Sequence, residues 1–352
     1  LISADNYVPV SWAKGIDLET GRPIIDEQAA RYEDGKLKIV RPSGAGGHNW
    51  QPMSYNPRTG LVYIPAMINA WSYKQAASIP GLGPGIFNIG NNGGLIEPFK
   101  PGTKPEDANT LDFTREADVE KLRTTWQGKL IAWDPVRQKE VWSRPHPSMW
   151  NGATLTTAGN LVFQGTGSGK FAAYRASDGK PLWESNASNT GVIAAPISYM
   201  VDNEQYIAVA AGGSGPLIYM GLLAPNPAVQ PDARILVYKV GGKASIPPGN
   251  KPRPLPSAFP FTIDPAKAKI GRGLYGGACT ACHGIEAISS GTLPDLRYLD
   301  ADTIANFPAI IHGAYGSVGM PDFTGRFSYA QIEAILHYLA QRNAELRARL
   351  GK

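Results

Sequence analysis

No run of 18 apolar residues occurs anywhere in the 352-residue chain, which excludes a transmembrane helix. A basic stripe interleaved with aromatics is also missing. The net charge is a mild +5 with lysine and arginine scattered, so nucleic acid is not an expected partner. The glycine-rich runs Gly81-Leu82-Gly83-Pro84-Gly85 and Asn91-Asn92-Gly93-Gly94 are not followed by Gly-Lys-Ser/Thr, so neither is a phosphate-binding loop. Helical periodicity is scarce before residue 242, whereas 40 glycines and 30 prolines favour short strands and turns. Cysteine is nearly absent, and its only two copies are separated by two residues.

Those two lie in Gly276-Gly277-Ala278-Cys279-Thr280-Ala281-Cys282-His283-Gly284, which carries the Cys-x-x-Cys-His signature of c-type haem attachment. Thiols at this spacing form thioethers to the two vinyl groups of one porphyrin, and the adjacent imidazole binds the iron. A zinc knuckle needs two further thiol or imidazole ligands nearby. A redox dithiol has no need of the histidine, and a disulfide across two residues is tightly constrained. Haem c is the best fit, with Cys279 and Cys282 as covalent anchors and His283 as an axial ligand; the implied role is electron transfer. A low-spin carrier needs a sixth ligand. Met320, 37 residues after His283 in Gly319-Met320-Pro321-Asp322-Phe323, offers a thioether that favours ferrous iron. His312 is the rival ligand, and His337, inside a helical pattern, reads as packing or surface. The Pro294 carbonyl is expected to receive the ring N–H of His283 and so orient it.

The flanks of this motif read as helices. Asp264 is placed as N-cap of a helix from Pro265 to Gly277 that delivers the cysteines. Ile332, Ile335, Leu336, Leu339 and Leu346 recur at three- and four-residue steps in a second helix from Ser328 to Leu350, opened by a Ser328/Gln331 capping box. Arg342, Arg347, Arg349 and Lys352 complement its C-terminal dipole. Upstream, residues 243–262 hold six prolines, at 247, 248, 252, 254, 256 and 260, and read as a stiff linker. The division is then a module over 1–242, the linker over 243–262 and an all-α class I cytochrome c module over 263–352.

The larger module has a repeat. Lys129-Leu130-Ile131-Ala132-Trp133, ending at Trp142, is echoed by Lys170-Phe171-Ala172-Ala173-Tyr174, ending at Trp183, 41 residues on. Short strands at such a period are the mark of a β-propeller, each repeat being one four-stranded blade that stacks on its neighbours. Strands around Leu61–Ile64, Leu161–Phe163 and Tyr206–Ala210 keep the rhythm. Setting aside an irregular insertion from about Met67 to Gln127, read as part of a substrate-entry rim or as cover for a blade edge, roughly 180 residues remain, enough for about four repeats.

The tryptophan-ended repeats, the run Gly46-Gly47-His48-Asn49-Trp50-Gln51-Pro52 and Thr190-Gly191-Val192-Ile193-Ala194-Ala195-Pro196, together with the C-terminal haem motif, resemble the second half of quinohaemoprotein alcohol dehydrogenases. These enzymes depend on pyrroloquinoline quinone (PQQ). The resemblance covers essentially the whole chain. It implies an all-β eight-bladed propeller, of which this chain supplies about half the blades, with PQQ in its axial tunnel. The implied reaction converts an alcohol to an aldehyde or ketone, with electrons passing through haem c to an external acceptor: a copper protein, a cytochrome or a membrane subunit. It maps PQQ contacts onto Asn49, Trp50 and Val192. An amide donor and a flat indole suit a planar anionic quinone.

Half a propeller cannot close, so open blade edges would leave backbone and apolar faces bare. The chain is expected to be the C-terminal piece of a longer polypeptide, with the N-terminal half associated as a separate chain. In the family that half supplies the catalytic aspartate base, the Ca²⁺ ligands, a vicinal disulfide and a lysine or arginine at the quinone oxygens. None of these is assigned to a residue here. Covalent haem and the resemblance both imply the periplasm. Two other readings stay open, an electron-transfer cytochrome fused to a binding propeller without dehydrogenase activity, and a propeller carrying another haem-type cofactor.

Overall fold

A computed structural model describes residues 1–30, 33–75, 127–187, 191–212, 233–248, 253–289 and 293–351. Among the described residues, strands make up almost all the regular structure up to Lys239, with one short helix at Glu27–Ala30, and helices follow. The first complete sheet orders β1 (Ser54–Asn56), β2 (Leu61–Ile68), β3 (Gln127–Asp134) and β4 (Lys139–His146) as an antiparallel meander. The second orders β5 (Thr154–Thr157), β6 (Leu161–Gly165), β7 (Lys170–Arg175) and β8 (Pro181–Asn186) in the same way. A third sheet has three strands, β9 (Ile197–Val201), β10 (Glu204–Ala211) and β11 (Arg234–Lys239). Two smaller pairs precede these, Ala13–Ile16 with Pro23–Ile25, and Lys38–Val40 with Trp71–Tyr73. The insertion expected from Met67 thus begins as ordered strand, and its residues 76–126 lie outside the described ones.

The facing sides of neighbouring sheets are apolar and cover one another. Leu61, Tyr63, Leu130 and Ala132 pack against Val162, Ala172, Tyr174 and Ala176. Phe163, Phe171 and Val192 pack against Ile207, Val209 and Leu236. Trp142 and Trp183 occupy equivalent places on the outermost strands β4 and β8, as their 41-residue spacing requires. The Trp142 indole N–H donates to the Ala176 carbonyl at 3.0 Å, and its ring lies so close to Gly179 that a Cβ there would come within 2.5 Å. That glycine also has φ +71°, a conformation costly for any other residue. The Tyr63 hydroxyl donates to the same Ala176 carbonyl at 2.9 Å. Trp183 instead meets the Tyr238 ring at 5.0 Å.

The helical part is built on α1 (Pro265–Ala278) and α3 (Tyr329–Leu350), with a short α2 (Thr280–His283) following α1. Asp264 caps α1 by accepting from Ala266 and Lys267. Ser328 and Gln331 form the reciprocal capping box of α3. The two long helices touch at Gly271, where a Cβ would fall 1.9 Å from the Ala334 carbonyl oxygen; only glycine permits that approach. Part of the proline-rich stretch also belongs to this packing. Phe259 is buried in the helical core and Phe261 lies against it, the Pro256 carbonyl accepts from Arg347, and the Ser257 carbonyl accepts from Asn343 at 3.0 Å. Arg234 of β11 holds the carbonyls of Pro247 and Pro248 at the other end.

Two donors converging on one buried carbonyl give a testable coupling. Trp142→Phe or Tyr63→Phe alone leaves Ala176 one partner. Each hydrogen bond lost this way costs about 1 kcal/mol, whereas the double variant strands a buried carbonyl and should cost roughly 1–3 kcal/mol beyond the sum. Denaturant unfolding of the four proteins in the cycle measures that excess, and strict additivity would contradict the shared-acceptor arrangement.

Candidate functional site

Helix α1 ends at Ala278, and Cys279 serves both as its C-cap and as the start of α2. Cys279 is buried and Cys282 exposed. The His283 Nδ1 lies 2.9 Å from the Pro294 carbonyl. A carbonyl can only accept, so Nδ1 carries the proton and the Nε2 lone pair is left for a ligand. Burial, the largest influence, holds the imidazole below its usual pKa, and the Pro294 hydrogen bond and the Asp295 charge oppose it. A neutral ring with a fixed tautomer is what an iron ligand requires.

The backbone after His283 is bent sharply. Gly284 has φ +85°, and a Cβ on it would fall 2.1 Å from the Ile288 carbonyl oxygen. Glu286 and Ala287 follow with φ of 56° and 59°, a region unfavourable to side chains. Arg272 and Arg342 hold the buried Glu286 carboxylate, each at 3.1 Å, and the buried Tyr275 hydroxyl donates to the Gly284 carbonyl at 2.8 Å. Ion pairs and packing thus hold the bend in place.

Met320 is partly buried against the same core that contains Cys279. Its loop is set by the turn Gly316–Val318, by Gly319 at φ +93°, and by the Phe323 N–H donating to the Ile311 carbonyl at 2.9 Å. His312 lies in the preceding turn, edge-on to Tyr329 at 5.5 Å. His337 is a packing residue. It is buried on α3, accepts the Asp264 N–H at 3.0 Å and sits against Phe261. Among the described residues no group of three or more His, Cys, Asp or Glu side chains converges as a metal cluster would. The arrangement fits a covalently held haem better than a zinc knuckle.

In the strand part, Asn49 and Trp50 lie on the connection between the Lys38–Val40 strand and β1. That connection is clamped at both ends, by Met67 N–H to the Gly47 carbonyl at 2.8 Å and Thr154 N–H to the Pro52 carbonyl at 3.0 Å. Gly46 (φ +83°) and Gly47 are forced, since a Cβ would strike the His48 carbonyl oxygen at 2.6 Å or Val8 at 2.4 Å. Asn49 Nδ2 donates to the Ala45 carbonyl at 2.8 Å, and its Oδ1 receives the Trp50 N–H at 2.9 Å. One amide hydrogen and one lone pair remain. The Trp50 indole is 52% exposed, a flat apolar surface offered to a planar partner. Val192 differs. Its side chain is fully buried between the second and third sheets and its N–H donates to Thr166. Its carbonyl faces Gly152 and Gly165, where any Cβ would fall within 2.6 Å of it.

No helix among the described residues is long and apolar enough to cross a membrane. The profile of the glucose/ethanol/alcohol dehydrogenase β-propeller domain matches residues 30–207, and that of cytochrome c oxidase, cbb3-type, subunit III matches residues 266–339. Over 98% of its length the chain is 43% identical to quinohemoprotein alcohol dehydrogenase ADH-IIG of Pseudomonas putida, of which it covers 46%. It is 39% identical to quinohemoprotein alcohol dehydrogenase of Comamonas testosteroni, covering 45% of that protein. The solved structure of the P. putida ADHIIG enzyme superposes with a TM-score of 0.81 at 41% identity, over 98% of this chain and 49% of that one. The chain spans about half the length of the curated relatives it matches.

The bend after His283 is open to a direct check. Gly284→Ala should lower stability by more than ~2 kcal/mol, since it combines a positive φ with a backbone clash. Gly277→Ala, where an added Cβ meets nothing within 4 Å, should leave stability the same or slightly higher. Denaturant unfolding followed by haem absorbance distinguishes the two, and equal effects would rule out the tight closure.

Proposed function

Because the chain belongs to the PQQ-type glucose/ethanol/alcohol dehydrogenase β-propeller family and carries a cytochrome c domain, we propose that it is the electron-delivering portion of a quinohaemoprotein that oxidises alcohols to aldehydes or ketones. When bound, PQQ supplies a two-electron acceptor for the substrate hydride and haem c a one-electron relay. The chain's own residues bind and orient. Asn49 offers its remaining amide hydrogen to the quinone rim and Trp50 its indole face. Val192, held against Gly152 and Gly165, keeps the neighbouring segment close. Cys279 and Cys282 would anchor the porphyrin, and His283 Nε2 and the Met320 thioether would hold its iron. The observation that carries this reading is the His283–Pro294 hydrogen bond, which leaves the ring nitrogen of a Cys-x-x-Cys-His motif free for iron, joined in one chain to tryptophan-docked sheets.

In this reading the ring is eight-bladed and the helical module is an all-α class I cytochrome c. The remaining blades, the base and the Ca²⁺ ligands lie outside these 352 residues. The third sheet, which has three strands among the described residues and leaves Ile235 and Val237 exposed on its edge strand β11, is consistent with a blade completed by another segment. The site of action is the periplasm, and the acceptor is a copper protein, a cytochrome or a membrane subunit.

The test is an absorption spectrum of the purified protein before and after addition of a primary alcohol, with a denaturing gel stained for covalent haem. The expected result is a haem-stained band containing this sequence and haem reduction without nicotinamide. Haem that stays oxidised in alcohol after PQQ and Ca²⁺ are supplied would instead favour the electron-carrier reading. In the same material Trp50→Ala should weaken PQQ binding roughly tenfold. Met320→Ala should retain the covalent haem but shift it to a high-spin spectrum and a lower potential.

A further inference from the structure

The residue that orients His283 is itself gripped by an ion pair. Asp295, next to Pro294, is buried and receives three bonds from Arg297: the backbone N–H at 3.1 Å and Nε at 2.9 Å on Oδ1, and Nη2 at 2.6 Å on Oδ2. The Asp295 and Arg297 side chains are 1% and 2% exposed. Arg253 approaches Asp295 at 3.9 Å from the proline-rich segment. The Arg297 carbonyl accepts from Asn343 Nδ2 at 2.8 Å, and that amide also donates to Ser257. A continuous chain of contacts therefore runs from α3 through Arg297 and Asp295 to the Pro294 carbonyl and His283.

Buried ion pairs are poor devices for stability, because removing two charges from water costs about as much as their attraction returns. What this pair supplies is geometry and cancelled charge. The Asp295 carboxylate is enclosed one residue from the Pro294 carbonyl that holds the imidazole, where a buried charge is little screened. The Arg297 guanidinium, in a bidentate grip on that carboxylate, cancels most of the field.

We infer that the Asp295–Arg297 pair is a charge-neutral clamp that positions the Pro294 carbonyl on His283 and thereby sets the potential of the iron bound there, an inference that rests on the haem site proposed above. The two members act with opposite sign. With Arg297 neutralised, the carboxylate keeps only the more distant, partly exposed Arg253 at 3.9 Å, so negative charge beside the ligand is less compensated, which favours ferric iron and lowers the potential. With Asp295 neutralised, a bare guanidinium favours ferrous iron and raises it. A purely structural role makes a different prediction: losing either residue loosens the Pro294 carbonyl, weakens electron donation by the imidazole and raises the potential in both cases.

The experiment is a spectroelectrochemical titration of the haem in the full protein. Asp295→Asn should move the midpoint up, Arg297→Gln down, and the double variant should return close to the unaltered value. Arg297→Lys keeps the charge without the fork, so its potential should stay near wild type even if unfolding occurs at lower denaturant. It serves as the reference if Arg297→Gln does not accumulate. Single variants that shift the same way, or not at all, overturn the clamp. A denaturing gel run first separates the failures, since absence of covalent haem from the unaltered chain refutes the haem site itself.

Discussion

A four-stranded sheet that is apolar on both faces survives only when something covers each face, and here that constraint falls on one backbone carbonyl. Ala176 receives the Trp142 indole and the Tyr63 hydroxyl from the neighbouring sheet, while Arg144 of the same strand as Trp142 reaches the Gly179 carbonyl at 2.6 Å. The outer strand of one sheet is thus bonded to the β7–β8 turn of the next, and the stacking order follows. Inner strands are matched the same way, Ser54 to Thr154 and Asn56 to Thr156, each at 2.8 Å. With the sheets in register, the connection bearing Asn49 and Trp50 is pinned between β2 and β5 and its aromatic face is left open.

The haem module solves a different problem with the same economy of contact. Its first and last helices meet at Gly271, which brings Tyr275 onto Tyr338 at 5.2 Å and sets Cys279 against the core. From there the His283 ring is fixed by Pro294, the bend after it by Arg272 and Arg342, and the Met320 loop by Ile311. Side chains held this way have little reorganisation left to undergo, as suits the electron relay proposed above.

Features carried by local chemistry were legible in the sequence. The helix starts at Asp264 and Ser328, the His283–Pro294 contact and the equivalence of Trp142 and Trp183 are matters of spacing and capping, and spacing survives without tertiary information. What depends on burial was not legible. Nothing local indicates that Asp295 and Arg297, two charged residues in a surface-like stretch, are enclosed together. Glu286 at positive φ was equally unannounced, because its strain is offset by arginines 14 residues before it and 56 after it in sequence. Nothing in the sequence showed that the Val192 side chain is committed to the core between sheets. Residues 253–262 read as a linker because prolines dominate them, yet Phe259 and Phe261 give them a seat that composition alone does not reveal.

That seat bears on what can be inherited or exchanged as a unit. Along the final helix the entering segment is zipped antiparallel, Pro256 to Arg347, Ser257 to Asn343 and Asp264 to His337. A cytochrome severed at residue 263 would leave the seat of Phe259 empty and deprive Asn343 of one acceptor. Recombination that moves this module between propellers would therefore have to carry the end of the proline-rich stretch with it. The portable piece starts inside what looks like the hinge.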